Sequence, residues 1–124
     1  MISKDLNLVK IKNVYNSIKP YINLTPLLEC NKEIQKFFNT NLFLKYEIFQ
    51  KSGSFKARGL ALGVARAKEL GIKKIAIPTN GNAGAALAAY ATACGIESFV
   101  FCPKDTPSIN IKEAEIQGAK TFTV

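Results

Sequence analysis

Short β-rich runs alternate with runs of helical periodicity from Asn41 to the end of the chain. We predict the following elements from them: strands at residues 42–47, 73–78, 98–102 and 119–124, and helices at residues 55–70, 83–94 and 107–117. Gly71, Gly95 and Gly118 each follow a predicted helix, where a left-handed residue is favoured. Because each helix returns the chain to the same sheet edge, this alternation predicts an α/β fold with a parallel sheet and right-handed βαβ crossovers.

The first forty residues lack this alternation. Apolar residues recur at helical spacing between Lys10 and Lys19, and a short helix is predicted at residues 31–38. At the other end of the chain, Thr106 is predicted to cap the last helix. Pro107 would then be its first residue, a position that proline suits because its missing N–H is not needed there.

The chain contains no histidine, which excludes histidine-based triads, general bases and metal sites within it. Its net charge is +8, but the lysines are scattered from Lys4 to Lys120 without a clustered stripe, so nucleic-acid binding is not expected. No apolar run reaches the ~20 residues that a bilayer requires. We therefore expect a cytoplasmic protein with neither a nucleic-acid nor a membrane partner.

Three cysteines, Cys30, Cys94 and Cys102, lie in apolar surroundings without CxxC spacing. This pattern is typical of buried, reduced cysteines in a cytosolic protein. A reactive thiol is the alternative, and no metal site is expected.

A loop at residues 52–59 carries a lysine beside a predicted helix start. Ser54 is expected to cap a helix that begins at Phe55, which places Lys56 near the positive end of the helix dipole. This position disfavours the ammonium form, and a neutral amine can form a Schiff base with an aldehyde. The alternative is an ordinary surface lysine. A phosphate-binding P-loop is not matched, because the spacing differs and Ala57 replaces the required hydroxyl residue.

A second loop, Thr79–Gly84, joins a predicted strand to an alanine-rich helix. Small side chains let that helix lie close to the sheet, and the free N–H groups at its start could bind a carboxylate or phosphate. Asn82 adds an amide that both donates and accepts hydrogen bonds. A dinucleotide site is not matched, because Thr79 stands where the first glycine belongs. An ordinary tight turn is the alternative.

Four segments taken in order carry a family resemblance: Thr25–Leu27, Leu44–Glu47, Gly53–Gly59 and Gly81–Ala91. They resemble the pyridoxal-phosphate enzymes of the tryptophan-synthase-β fold type, fold type II, and among these most resemble threonine synthase. The resemblance covers residues 24–124. It implies an α/β enzyme that uses pyridoxal 5′-phosphate as its cofactor.

The resemblance implies roles for individual residues. Lys56 matches the lysine that forms a Schiff base with the cofactor, and Asn82 matches the asparagine that hydrogen-bonds the pyridine 3′-oxygen. The loop that grips the substrate α-carboxylate would consist of Thr79, Asn80, Gly81, Asn82 and Ala83. Phe55 is expected to pack in the core and Arg58 to be structural.

The implied reaction converts O-phosphohomoserine and water to threonine and phosphate, so the small-molecule partner would be a phosphorylated amino acid. Threonine dehydratase is the nearest alternative, but a histidine usually follows its asparagine where this chain has Ala83. Asn80 departs from the serine common in the family, which leaves the substrate open. A non-catalytic α/β ligand-binding module is the alternative outside enzymes.

The resemblance also predicts a domain division. Residues 1–40 would be a helical and extended segment of the larger domain, and residues 41–124 the α/β portion with both loops. The family's glycine-rich phosphate cup and the Ser or Thr facing the ring nitrogen normally lie later in the chain. We therefore expect an N-terminal portion, truncated or split, that is inactive without a C-terminal region or a separately encoded partner; a homodimer is possible.

Overall fold

The computed structural model describes residues 7–124, in which helices and strands alternate. The helices are α1 (Leu8–Ile18), α2 (Lys32–Phe38), α3 (Lys56–Glu69), α4 (Ala83–Ala93) and α5 (Ser108–Ile116), and the strands are β1 (Leu27–Glu29), β2 (Phe43–Lys45), β3 (Lys74–Pro78), β4 (Glu97–Cys102) and β5 (Lys120–Thr123). Gly71, Gly95 and Gly118 all have positive φ, as predicted. The first six residues of the predicted 1–40 segment lie outside the described residues. The division into two domains stays a prediction.

The last three strands form one parallel sheet in the order β3-β4-β5. Ile77 pairs with Val100, and Val100 pairs with Thr121. Helix α4 connects β3 to β4, and α5 connects β4 to β5. Inward-facing residues of the sheet pack against these helices: Ile77 and Val100 lie in one apolar cluster with Ala88 of α4 and Ala114 of α5. The predicted α/β fold with a parallel sheet is confirmed.

The strand predicted at residues 42–47 is shorter and does not belong to this sheet. It is β2, which pairs antiparallel with β1 in a separate two-stranded sheet, with Leu27 opposite Lys45. After β2 the chain enters a 3₁₀ turn at Glu47–Phe49 instead of crossing to a parallel neighbour. The alternation that predicts parallel pairing therefore holds only from α3 onward.

Two predicted helix starts are each wrong by one residue. Helix α3 begins at Lys56, and no side chain caps it; the first N–H bond goes from Ala57 to the carbonyl of Ser54. Phe55 already has helical angles (φ −60°, ψ −17°), so the chain has turned before the Ser54 hydroxyl can act as a cap. Pro107 has extended ψ (131°) and precedes α5, which begins at Ser108.

Helices α3 and α4 pack together through small side chains. The buried face of α3 consists of Ala57, Ala61, Val64 and Ala67, which share an apolar cluster with Leu87 and Ala91 of α4 and with Ile18 of α1. The three cysteines are free; Cys30 and Cys102 are buried, and Cys94 is half-buried. None of the helices in the part of the chain described could cross a membrane, since none is long and apolar enough.

Candidate active site

Both loops singled out in the sequence lie at the same edge of the parallel sheet. Helix α3 ends at Glu69, and a short turn leads into the start of β3, whereas α4 begins just after β3 ends. Both helices therefore run opposite to the strands, and their first turns lie at the carboxyl edge of the sheet. Open parallel sheets bind ligands at this edge. The lysine loop follows the 3₁₀ turn and does not come from a strand of the parallel sheet.

Lys56 is the first residue of α3, and its side chain is exposed. It lines an open cavity of about 590 Å³ together with Lys45, Glu47, Phe55, Arg58, Gly59 and Leu60. Three cations and one carboxylate thus surround a space large enough for a small ligand. An amine in such a place is accessible to an aldehyde.

Phe55 does not pack in the core, contrary to the prediction. Its side chain is 60% exposed, and the Lys56 amine lies 5.0 Å from the centre of its ring. The buried face of α3 starts at Ala57, which is fully buried. Phe55 stands just before that face, so its ring is left beside the lysine at the mouth of the cavity.

Arg58 binds Glu47 with both ends of its guanidinium fork. Its Nε donates to Glu47 Oε2 over 2.7 Å, and its Nη2 donates to Oε1 over 2.8 Å. The Thr25 hydroxyl donates to the same Oε1 over 2.6 Å and accepts from Arg58 Nη2 over 3.3 Å. The hydrogen bond from Arg58, opposed by partial burial and assisted by the Thr25 hydroxyl, lowers the pKa of Glu47 from 4.5 to about 2. The carboxylate is therefore ionised at neutral pH.

The second loop leads into helix α4 through an asparagine whose side chain does not cap the helix. Asn82 is the N-cap residue of α4, but its side chain makes no capping hydrogen bond and is exposed. Within residues 7–124, the backbone N–H groups of Asn82 and Ala83 donate no hydrogen bond, whereas the N–H of Gly81 donates to Thr79 Oγ1 over 3.2 Å. Asn80 is exposed, and its carbonyl accepts from the Asn110 amide over 2.8 Å. The positive end of α4 thus keeps free donors for an anion.

Gly84 holds this helix start close to the sheet. A Cβ atom at this position would lie 3.1 Å from Val100 Cγ1 and 3.2 Å from Thr79 Cγ2. Both distances are tighter than ordinary van der Waals contact. Glycine therefore sets how closely the loop and the first turn of α4 approach β4.

The structure brings some of the predicted site residues together and leaves others apart. Thr79, Asn80, Gly81, Asn82 and Ala83 form one loop. Lys56 lies at the same sheet edge, but none of those five residues lines its cavity. Sequence reasoning did not find the contacts among Thr25, Glu47 and Arg58. No local spacing could have indicated them, because the partners are 11 to 33 residues apart.

Comparison with known proteins gives a consistent assignment. A family model described as pyridoxal-phosphate dependent enzyme matches residues 18–124. Threonine synthase of Methanosarcina acetivorans is 36% identical over 81% of this chain and 25% of its own length. Serine racemase of Arabidopsis thaliana is 32% identical over 94% of this chain and 35% of its own length. A solved structure of a T.th. threonine deaminase superimposes with a TM-score of 0.78 and 30% identity, over 95% of this chain and 37% of that one.

The chain thus spans about a quarter to somewhat more than a third of these relatives. The family match indicates pyridoxal 5′-phosphate as the cofactor, and the solved relatives have the same parallel α/β arrangement. The free donors at the start of α4 and the accessible amine at the start of α3 agree with an enzyme of this kind. The chain belongs to the pyridoxal-phosphate dependent enzyme family, fold type II.

Proposed function

We propose that this chain is the lysine-bearing part of a threonine synthase, which converts O-phosphohomoserine and water to threonine and phosphate. The observation that carries the proposal is the pairing at one sheet edge of an accessible lysine amine with a helix start that has free N–H donors. Among the curated relatives, several threonine synthases match, including two at 36% identity and one at 34%. Ala83, rather than a histidine, after the asparagine favours this reaction over threonine dehydratase.

The residues present fit the cofactor. The Lys56 amine is exposed in an open cavity, and the adjoining loop contains two buried hydroxyl oxygens, of Ser52 and Ser54, with no hydrogen-bond partner in the described residues. The amide of Asn82 is likewise free to bind a ring oxygen. Bound there, pyridoxal phosphate would supply an electron sink for the negative charge that develops on the substrate.

Each residue then has a defined task. Lys56 would hold the cofactor through its amine, and the same amine would move protons between carbon atoms of the substrate. The N–H groups of Asn82 and Ala83 bind the substrate α-carboxylate at the positive end of α4. Thr79 and Gly81 shape this loop through their mutual hydrogen bond. Overall, the Cγ–O bond would break to release phosphate, and Cβ would lose one proton and gain the hydroxyl of water. The proton from Cβ and the remaining proton of water would go to Cγ, which becomes the methyl group, and to phosphate.

The remainder of the site would come from elsewhere. We propose that the groups that bind the cofactor phosphate and the ring nitrogen belong to the part of the relatives' length that this chain does not span, in a C-terminal region or a separately encoded partner. We expect the 124 residues alone to be inactive. The phosphorylated amino acid is the small-molecule partner, a homodimer is a possible assembly, and the cytoplasm is the proposed location.

A chimeric enzyme tests the reaction. Residues 18–124 would replace the matching segment of the Methanosarcina acetivorans enzyme, and threonine and phosphate would be measured after addition of O-phosphohomoserine. We expect both products in equal amounts. Lys56→Ala should abolish them, whereas Lys51→Ala, an exposed lysine of the neighbouring turn, should not. Threonine formation by a folded Lys56→Ala chimera would refute the role of this lysine.

The same chimera can distinguish the second candidate function, a threonine dehydratase-like lyase. Its support is the likeness to a threonine deaminase over 95% of this chain. Ammonia release from threonine, without phosphate release from O-phosphohomoserine, would favour that lyase. Inversion of serine would favour a racemase instead, and binding without turnover a non-catalytic module.

A further inference from the structure

Three residues that are distant in sequence meet beside the lysine: Thr25, Glu47 and Arg58. We propose that this group, the Glu47 clamp, is a positioning device that fixes the first turn of α3 and so holds the Lys56 amine in its cavity. The inference rests on the proposed function of Lys56. None of the three residues needs to touch the substrate for this role.

The clamp acts on the turn that carries the lysine. Arg58 lies two residues after Lys56 in the first turn of α3. Its guanidinium meets both carboxylate oxygens of Glu47, at 2.7 Å and 2.8 Å. A two-point contact of this kind fixes direction as well as distance, which a single ion pair does not. Because the first turn rotates as a unit, fixing Arg58 also fixes the direction in which the Lys56 side chain leaves the helix.

The same turn has little other anchoring on its N-terminal side. No side chain caps α3, and the hydroxyls of Ser52 and Ser54 make no hydrogen bond within the described residues. Phe55 is exposed and gives no packing against the core. A helix start without a cap leaves N–H groups unsatisfied and frays more readily. Besides the buried Ala57, this turn is tied to other segments by the hydrogen bonds of Arg58 to Glu47 and Thr25.

The carboxylate is itself held from a third segment. The Thr25 hydroxyl donates to Glu47 Oε1 over 2.6 Å, and the Lys45 amine donates to the Thr25 carbonyl over 2.6 Å. The backbone N–H of Tyr46 also donates to the carbonyl of Pro26 over 3.0 Å. The clamp therefore ties the start of α3 to the β1–β2 sheet. Glu47 is only 17% exposed at its side chain and Arg58 is 31% exposed, so water competes weakly for these contacts.

Site-resolved chemical labelling tests the clamp without requiring turnover. The 124-residue chain would be incubated with pyridoxal phosphate, reduced with borohydride at several times and digested, and the modified lysines would be counted by mass spectrometry. The other lysines of the chain serve as internal references. We expect Lys56 to react faster than exposed reference lysines such as Lys104 and Lys112, because its amine is held open in the cavity.

Substitutions then separate positioning from folding. In Glu47→Gln the rate at Lys56 should fall roughly fivefold, while the reference lysines keep theirs, because the turn loses its fixed direction. Arg58→Gln should give the same loss. Arg58→Lys, which keeps the charge without the fork, should be intermediate and remains informative if the glutamine variants do not fold. Glu97→Gln removes a half-buried carboxylate that binds Lys74 over 3.4 Å and also binds Lys120, and it should leave the rate at Lys56 unchanged.

The labelling results test the Glu47 clamp independently of the threonine synthase reaction. An unchanged Lys56 rate in a folded Glu47→Gln or Arg58→Lys chain would overturn the clamp, and so would a parent chain in which Lys56 reacts no faster than the references. Selective loss at Lys56, combined with a chimera that forms no threonine, would retain the clamp and refute the threonine synthase assignment. If the chimera forms threonine but the labelling rate at Lys56 does not change in the variants, the threonine synthase assignment stands and the clamp is refuted.

Discussion

Replacing Gly84 by alanine should destabilise the protein, although alanine is the better helix former. A Cβ atom there would meet Val100 Cγ1 at 3.1 Å and Thr79 Cγ2 at 3.2 Å. Val100 is 1% exposed and cannot yield easily, so the strain must move α4 or the loop that begins at Thr79. Overpacking of this kind costs about 1–3 kcal/mol, and the gain in helix propensity is about 1 kcal/mol. We expect a net loss of about 1 kcal/mol in the free energy of unfolding.

Equilibrium unfolding in urea, followed by far-UV circular dichroism, measures this difference. Gly63→Ala is the matched control, because Gly63 lies within α3 and a Cβ atom there would have nothing within 4 Å. The control should gain up to about 1 kcal/mol, so the two variants should differ by about 2 kcal/mol. If Gly84→Ala proves as stable as Gly63→Ala, the close approach of α4 to β4 does not limit this position and the reasoning is wrong.

Two further predictions concern charge and the exposed amide. The pKa of Glu47 is about 2 in the folded protein, against an ordinary value of 4.5. Its contribution to the stability of the fold is therefore complete above pH 4.5 and is lost as the pH falls towards 2. Allowing for partial exposure, this contribution to the free energy of unfolding is about 1–2 kcal/mol. In Glu47→Gln the urea midpoint should therefore depend less on pH between 4.5 and 2. An equally steep pH dependence in the variant would contradict the assignment. Asn82→Ala should change stability by less than about 0.5 kcal/mol, because the side chain makes no cap, yet should sharply reduce turnover of the chimera. Asn41→Ala, an exposed position within the same chimera just before β2, is its control, and unimpaired turnover in Asn82→Ala would count against a role for Asn82.

The part of the fold that sequence alone predicts is the part built from long, periodic elements. Helix α4 and its flanking strands follow from an alanine-rich run between β-rich segments, and glycines mark the helix ends. Strand β1 has three residues, too few for a period of two to be recognised, so its pairing with β2 was missed. That pairing in turn removed β2 from the parallel sheet.

The site divides in the same way. Lys56 and Asn82 could be singled out because each lies in a distinctive loop beside a helix start, and their roles stay predictions. The contacts of Arg58 with Glu47 and Thr25 depend on how β1, β2 and α3 come together in space, which no local pattern encodes. The prediction for Phe55 was wrong because a large apolar side chain is usually buried, whereas the position of Phe55 before the buried face of α3 leaves it exposed.

The burial of α4 by very small residues has an entropic consequence. Of its buried residues, only Leu87 and Tyr90 carry side chains that can change rotamer; the others are alanines and Gly84. Alanine and glycine lose no side-chain freedom on folding, whereas long side chains lose up to ~2 kcal/mol each. Ordering this helix therefore freezes few rotamers. The loop at its start is held by hydrogen bonds from the Gly81 N–H to Thr79 Oγ1 and from the Asn110 amide to the Asn80 carbonyl. Changes of side-chain conformation on the buried face of α4 can therefore shift this loop very little.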